Sequence, residues 1–130
     1  MARHRLLIVE DEPEIVALIR LSADAAGLDS HSVGAIDEIA DALASFAPTV
    51  MLVDLNILGG TGIEVMRPLA DARATMPMAI MSGSGAWEHI EADARRMGLN
   101  VVGRLDKPFR RGELRAVLEQ LQAAAESGSP

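Results

Sequence analysis

No cysteine occurs in the 130 residues. That excludes a disulfide framework, a thiolate nucleophile and any Cys-ligated metal. Aromatic residues are almost as scarce, with Phe46, Trp87 and Phe109 and no tyrosine. The core must therefore be aliphatic, and no cluster of exposed rings offers a base-stacking platform. Positive charge is short as well. Twelve Lys and Arg against 19 Asp and Glu leave a net charge of −7, the wrong sign for a nucleic-acid backbone. No apolar run approaches the ~18 residues of a membrane span, and the opening MARHRLLIVEDEPE turns acidic too soon for a signal peptide. The expected class is a soluble, cytoplasmic single domain with neither nucleic-acid nor membrane partners, because a chain of this length supports one proper core.

What is present is a regular alternation of strand-like and helix-like patterns. RLLIVE is a short apolar run ending at Glu10 and Asp11. EPEIVALIRLSADAAG carries Ile15, Leu18, Ile19 and Ala25 at helical spacing, with Pro13 suited to the first turn and Gly27 to the stop. DSHSV is a weaker strand. AIDEIADALASFAP returns to helical spacing through Ile36, Ile39, Ala40 and Leu43 and ends at Pro48. TVMLVD is a strand, and a helix follows from about Gly62 to Arg73. MPMAIMSG is a fourth strand, WEHIEADARRMG a helix closed by Gly98, NVVGRL a fifth strand and RGELRAVLEQLQAAA a last amphipathic helix. Strands alternating with helices imply parallel crossovers and a three-layer α/β sandwich. The expected fold is flavodoxin-like, (βα)5, doubly wound, with a parallel five-stranded sheet of order 2-1-3-4-5. Residues 1–122 are assigned to the domain. The polar residues 123–130 are assigned to a disordered tail or the start of a linker.

The chemistry collects where strands end. Val50 to Val53 read as a buried strand that stops on one carboxylate, Asp54. A carboxylate inside such a strand is costly unless paired. Alone, Asp54 could equally open a turn. In a parallel sheet, however, the strand ends share one edge. Glu10 and Asp11 close strand one, Ser82 closes strand four, and Lys107-Pro108 follows strand five. In order 2-1-3-4-5, strands one and three are neighbours, so Glu10, Asp11 and Asp54 converge at the switch point. Three carboxylates repel one another. A divalent cation relieves this, and a partial set of hard oxygen ligands suits Mg²⁺. A carboxylate nucleophile, Mg²⁺, an ammonium and a hydroxyl are the parts that an aspartyl phosphate requires.

These residues also carry a resemblance. Over residues 5 to 122 the chain resembles the receiver domain of response regulators in two-component signalling. LLIVEDEPEI is similar to the first strand with its acidic pair, and MLVDLNILGGTG to the phosphoacceptor strand and loop, Gly62 included. PMAIMSG is similar to the fourth strand ending in the switch Ser/Thr, and LDKPF to the Lys-Pro motif. The resemblance implies that Asp54 accepts phosphate from a phosphohistidine of a sensor histidine kinase or phosphotransfer protein. It implies that Asp11 binds Mg²⁺ directly, Glu10 mainly through water, and Asn56 through its backbone carbonyl. Ser82 would hydrogen-bond the phosphoryl group, Lys107 would pair with its oxygens, and the Lys107-Pro108 bond would be cis. Catalysis would extend only to the domain's own phosphorylation and dephosphorylation. A homodimer through the face of helix four, strand five and helix five is a further implication. The SGSG stretch together with VVGRLDKPF is similar to receivers that precede EAL-type cyclic-di-GMP phosphodiesterase output domains.

Two departures bear on mechanism. Leu58 replaces the usual Pro, with Gly59-Gly60 next. Arg104 stands where an aromatic usually turns inward, and a guanidinium does not enter an apolar slot without a partner. The expected moving part is therefore the glycine-rich stretch Gly83 to Gly85 before Trp87, and Arg104 is expected to reach an acidic group. The competing reading is a phosphate-independent pseudo-receiver. An aspartate-dependent phosphatase would want a second Asp where Asn56 stands. A flavin carrier would want a Ser/Thr/Gly-rich loop where Glu10, Asp11 and Glu12 stand.

Overall fold

A computed structural model of the chain describes residues 3–57, 62–83 and 87–127. Five strands and five helices alternate. They are β1 (Arg5–Val9), α1 (Pro13–Ala25), β2 (Asp29–Val33), α2 (Ile39–Ser45), β3 (Val50–Asp54), α3 (Gly62–Asp71), β4 (Pro77–Ser82), α4 (Trp87–Arg96), β5 (Asn100–Asp106) and α5 (Arg111–Ser127). All pairings are parallel and the strand order is β2-β1-β3-β4-β5, as the alternation requires. Two details differ from the sequence reading. The second helical pattern opens with a 3-10 turn over Ile36–Glu38 before α2 begins. The last helix runs on to Ser127, so residues 123–127 are helical, while 128–130, the rest of the expected tail, lie outside the described residues. Ala123 to Ala125 are strong helix formers and extend the helix.

Side-chain alternation sorts the strands between two cores. Leu7, Val9, Met51, Val53, Met78 and Ile80 pack with Ile39 and Ala42 of α2, Val65, Met66 and Leu69 of α3 and Ala94 of α4. Leu6, Ile8, Val50, Leu52, Ala79 and Met81 pack with Ile19 and Ala23 of α1 and Leu114, Val117, Leu118 and Leu121 of α5. The sheet is thus covered on both faces, which is why its central strands are continuously apolar. Edge strand β2 pairs only with β1 and carries the polar DSHSV sequence, which blunts an exposed edge.

Strand β5 contains a bulge. Met78 pairs with Val101 and Ala79 with Gly103, leaving Val102 as the extra residue. Its carbonyl accepts a hydrogen bond from Gln120 Nε2 of α5 at 2.9 Å. Val101 packs on the α2–α4 side, Val102 on the α1–α5 side. A Cβ on Gly103 would meet the Gln120 side chain, so two successive residues face α5. The alternation then resumes with Leu105 in the α1–α5 core and Arg104 facing Glu91 of α4 at 3.7 Å.

Four helices end with a left-handed residue. Gly27 (φ 81°) follows α1 and Gly98 (φ 82°) follows α4, but Ala47 (φ 50°) and Arg73 (φ 54°) follow α2 and α3. That conformation suits glycine at the residue beyond a helix and costs other residues roughly 1 kcal/mol or more. Ala47 and Arg73 are exposed, so nothing but the backbone is at stake. Ala47→Gly and Arg73→Gly should each raise stability by about 0.5–1 kcal/mol, after the greater freedom of glycine in the unfolded chain is deducted. Urea unfolding midpoints at unchanged slope check this; a lower midpoint for both would show that the strain is absent.

Candidate phosphoacceptor site

The site follows from the same alternation. Leu6 and Ile8 share a row on the α1–α5 face, and Val50 and Leu52 share the adjacent row. Glu10 and Asp54 are the next members of these two rows, so neighbouring strands place their carboxylates side by side at the carboxyl edge. Both residues are only 1% exposed. Lys107 continues the row of Leu105. Its backbone N–H donates to the Ser82 carbonyl at 3.1 Å, and the Lys107-Pro108 peptide is cis, as the Lys-Pro motif implied.

At the centre lies the Lys107 ammonium. Nζ donates to Asp54 Oδ2 at 2.8 Å and lies 2.7 Å from Glu10 Oε1. The other oxygens are engaged locally. Asn56 N–H donates to Asp54 Oδ1 at 2.9 Å, and the amides of Asp11 and Glu12 donate to Glu10 Oε2, each at 3.1 Å. Glu10 Oε1 is buried, and its partner is the Lys107 ammonium. Carboxylate oxygens of Glu10, Asp11 and Asp54 all lie within 4.8 Å of one another. An all-oxygen cluster of three carboxylates facing a single ammonium fits a hard cation. Asp11 is the most accessible of the three.

Burial pushes the Glu10 carboxyl above its ordinary 4.5, and the Asp54 charge adds to this against the pull of Lys107. Burial alone would lower Lys107, but its bonds to Asp54 and Glu10 outweigh that and raise it above 10.5. The ammonium is therefore fully charged at neutral pH. It is also the sole lysine of the chain.

Of the residues singled out by sequence, Glu10, Asp11, Asp54 and Lys107 come together. Asn56 joins them through its backbone. Ser82 is buried to 1% at the end of β4, beside the strand that ends in Asp54. Arg104 does face an acidic residue, Glu91, and its side chain is 53% exposed. Leu58 to Thr61 and Ser84 to Ala86, which include most of the glycine-rich stretch expected to move, lie outside the described residues. Glu12 was missed: its Oε1 lies 3.8 Å from Lys107 Nζ. The signal available was its place in a run of three acidic residues.

Comparisons with known proteins bear on this arrangement. The chain is similar to the cell cycle response regulator CtrA of Brucella abortus, with 29% identity over 110 residues covering 85% of this chain and 46% of that protein. It thus spans about half the length of that curated relative. Among solved structures, it superposes on the signal receiver domain of an HD domain-containing protein from Pseudomonas fluorescens with a TM-score of 0.82. Identity there is 16%, with 98% of this chain and 100% of that one covered. For the chemotaxis response regulator CheY4 of Vibrio cholerae the TM-score is 0.78 and the identity 19%, covering 92% and 99%. These structural likenesses bear on the fold. The model for the response regulator receiver domain matches residues 6–119, nearly the whole of the sheet and its helices, and the chain therefore belongs to the response regulator receiver domain family.

Proposed function

We propose that this domain is a signalling switch set by phosphorylation of Asp54, with a histidine kinase or histidine phosphotransfer protein as donor. One observation carries the reading. A buried carboxylate, Asp54, is hydrogen-bonded to a half-buried ammonium, Lys107, inside a three-carboxylate cluster at the open edge of the sheet. A structural ion pair would need no further carboxylates, whereas phosphoryl transfer needs both the nucleophile and surplus charge stabilisation. An Asp54 carboxylate oxygen attacks phosphorus, the P–N bond to the donor imidazole breaks, and its electron pair returns to the ring. Lys107 neutralises charge on the transferred oxygens, and the Ser82 hydroxyl donates to one of them. Asp11, the Asn56 carbonyl and Glu10 acting through water would hold Mg²⁺. When bound, that ion offsets the repulsion between the phosphoryl group and the carboxylates.

The readout is altered partner binding. Arg104 and Glu91 place a charged pair between β5 and α4 where the family usually has a ring, so the face of α4, β5 and α5 responds through charge rather than ring burial. A homodimer through that face, and an output domain after α5 of the EAL type, belong to the same proposal.

Exposure to acetyl phosphate or beryllofluoride with Mg²⁺, followed by mapping of the adduct by mass spectrometry, tests the assignment. A single Mg²⁺-dependent adduct on Asp54 is expected. A dominant label on any other residue, or none, would refute it and favour the phosphate-independent module.

A further inference from the structure

Lys107 has a third acidic neighbour. Glu12 Oε1 stands 3.8 Å from Nζ, where Glu10 Oε1 is at 2.7 Å and Asp54 Oδ2 at 2.8 Å. The Glu12 backbone is pinned on both sides. Its N–H donates to Glu10 Oε2 at 3.1 Å, and its carbonyl accepts from Val16 N–H at 3.0 Å as α1 begins at Pro13. The side chain therefore springs from a fixed point. It is 64% exposed where Lys107 is 16% exposed, which puts its charge on the solvent side of the ammonium, where a phosphodonor must arrive.

Given the reading of Asp54 as phosphoacceptor, we propose that Glu12 is a positioning residue for Lys107 and a charge filter that disfavours small, free anionic phosphodonors. Two physical effects act together. The carboxylate holds the ammonium toward the mouth of the site, so part of that attraction must be given up before Lys107 turns to phosphoryl oxygens. The same carboxylate repels a dianion approaching Asp54 through partly screened solvent. A phosphohistidine presented on a protein surface can bring compensating cations, whereas acetyl phosphate cannot.

The test compares the wild-type chain with Glu12→Gln, which keeps the size and removes the charge. Phosphorylation by acetyl phosphate with saturating Mg²⁺ should be about threefold to tenfold faster in the variant at low salt, a range set by one unit charge at this distance. The difference should shrink toward unity near molar salt, where screening reaches only a few ångströms. A second readout isolates positioning. With isotope-labelled lysine the protein gives one side-chain resonance, that of Lys107, which should shift in metal-free Glu12→Gln. Equal rates at low salt, or an unmoved Lys107 resonance, would overturn the proposal. If neither protein is phosphorylated, the Asp54 reading fails instead, and the resonance still decides whether Glu12 positions the ammonium.

Discussion

Lys107→Met should lower the stability of the metal-free protein by about 3 kcal/mol at neutral pH, the scale seen when one partner of a buried ion pair is removed. Methionine keeps most of the volume and the apolar stem, so the loss is one of charge. What remains is Glu10 and Asp54, both buried, with no ammonium between them. The pH dependence fixes the cause. The folded-state pKa of Glu10 already lies above 4.5, so between 4.5 and that raised value the folded chain binds more protons than the unfolded one. Stability therefore falls as pH rises through this window. Without Lys107 the window should widen upward and the fall should steepen. Acid or millimolar Mg²⁺ should then recover much of the loss. Urea unfolding across pH, with and without Mg²⁺, measures this. A variant as stable as wild type at neutral pH would show that the site carries no net repulsion.

Asp54→Asn should abolish Mg²⁺-dependent phosphorylation while leaving the fold intact. The amide is isosteric, can still accept from Asn56 N–H through its oxygen, and removes one of three mutually repelling carboxylates. Glu10 remains to pair with Lys107 at 2.7 Å. The chain should thus be as stable as wild type or slightly more so, in contrast to Lys107→Met. An amide has no anionic oxygen to attack phosphorus, so the loss of adduct should be complete rather than partial. Residual labelling above a few per cent, mapped by mass spectrometry, would place the acceptor elsewhere.

Much of this was legible in the sequence because it rests on local rules. Val50 to Val53 could only be a covered strand. Pro13, Gly27 and Gly98 fell where helices begin and end. Once strands one and three are neighbours, the alternation that buries Leu52 and Ile8 also sets Asp54 beside Glu10. The unread parts depend on exact chain paths. The approach of Glu12 to Lys107 is set by the turn between β1 and α1, which no periodicity encodes. The extra residue in β5 shows only as two successive valines before Gly103, a pattern that an unbroken strand also produces. The 3-10 turn over Ile36–Glu38 has helical spacing and cannot be told from a first α-turn by apolar positions.

That extra residue has a consequence for how the chain can vary in length. Deleting Val102 alone would restore plain alternation and leave both flanks as they are, with Val101 on the α2–α4 side, Arg104 toward Glu91 and Leu105 in the α1–α5 core. What the strand would give up is the carbonyl that accepts from Gln120 Nε2. A strand that already alternates has no such slack, because a one-residue change there turns one flank inside out. The bulge is therefore the place where this edge strand can shorten by one residue with every other side chain keeping its face.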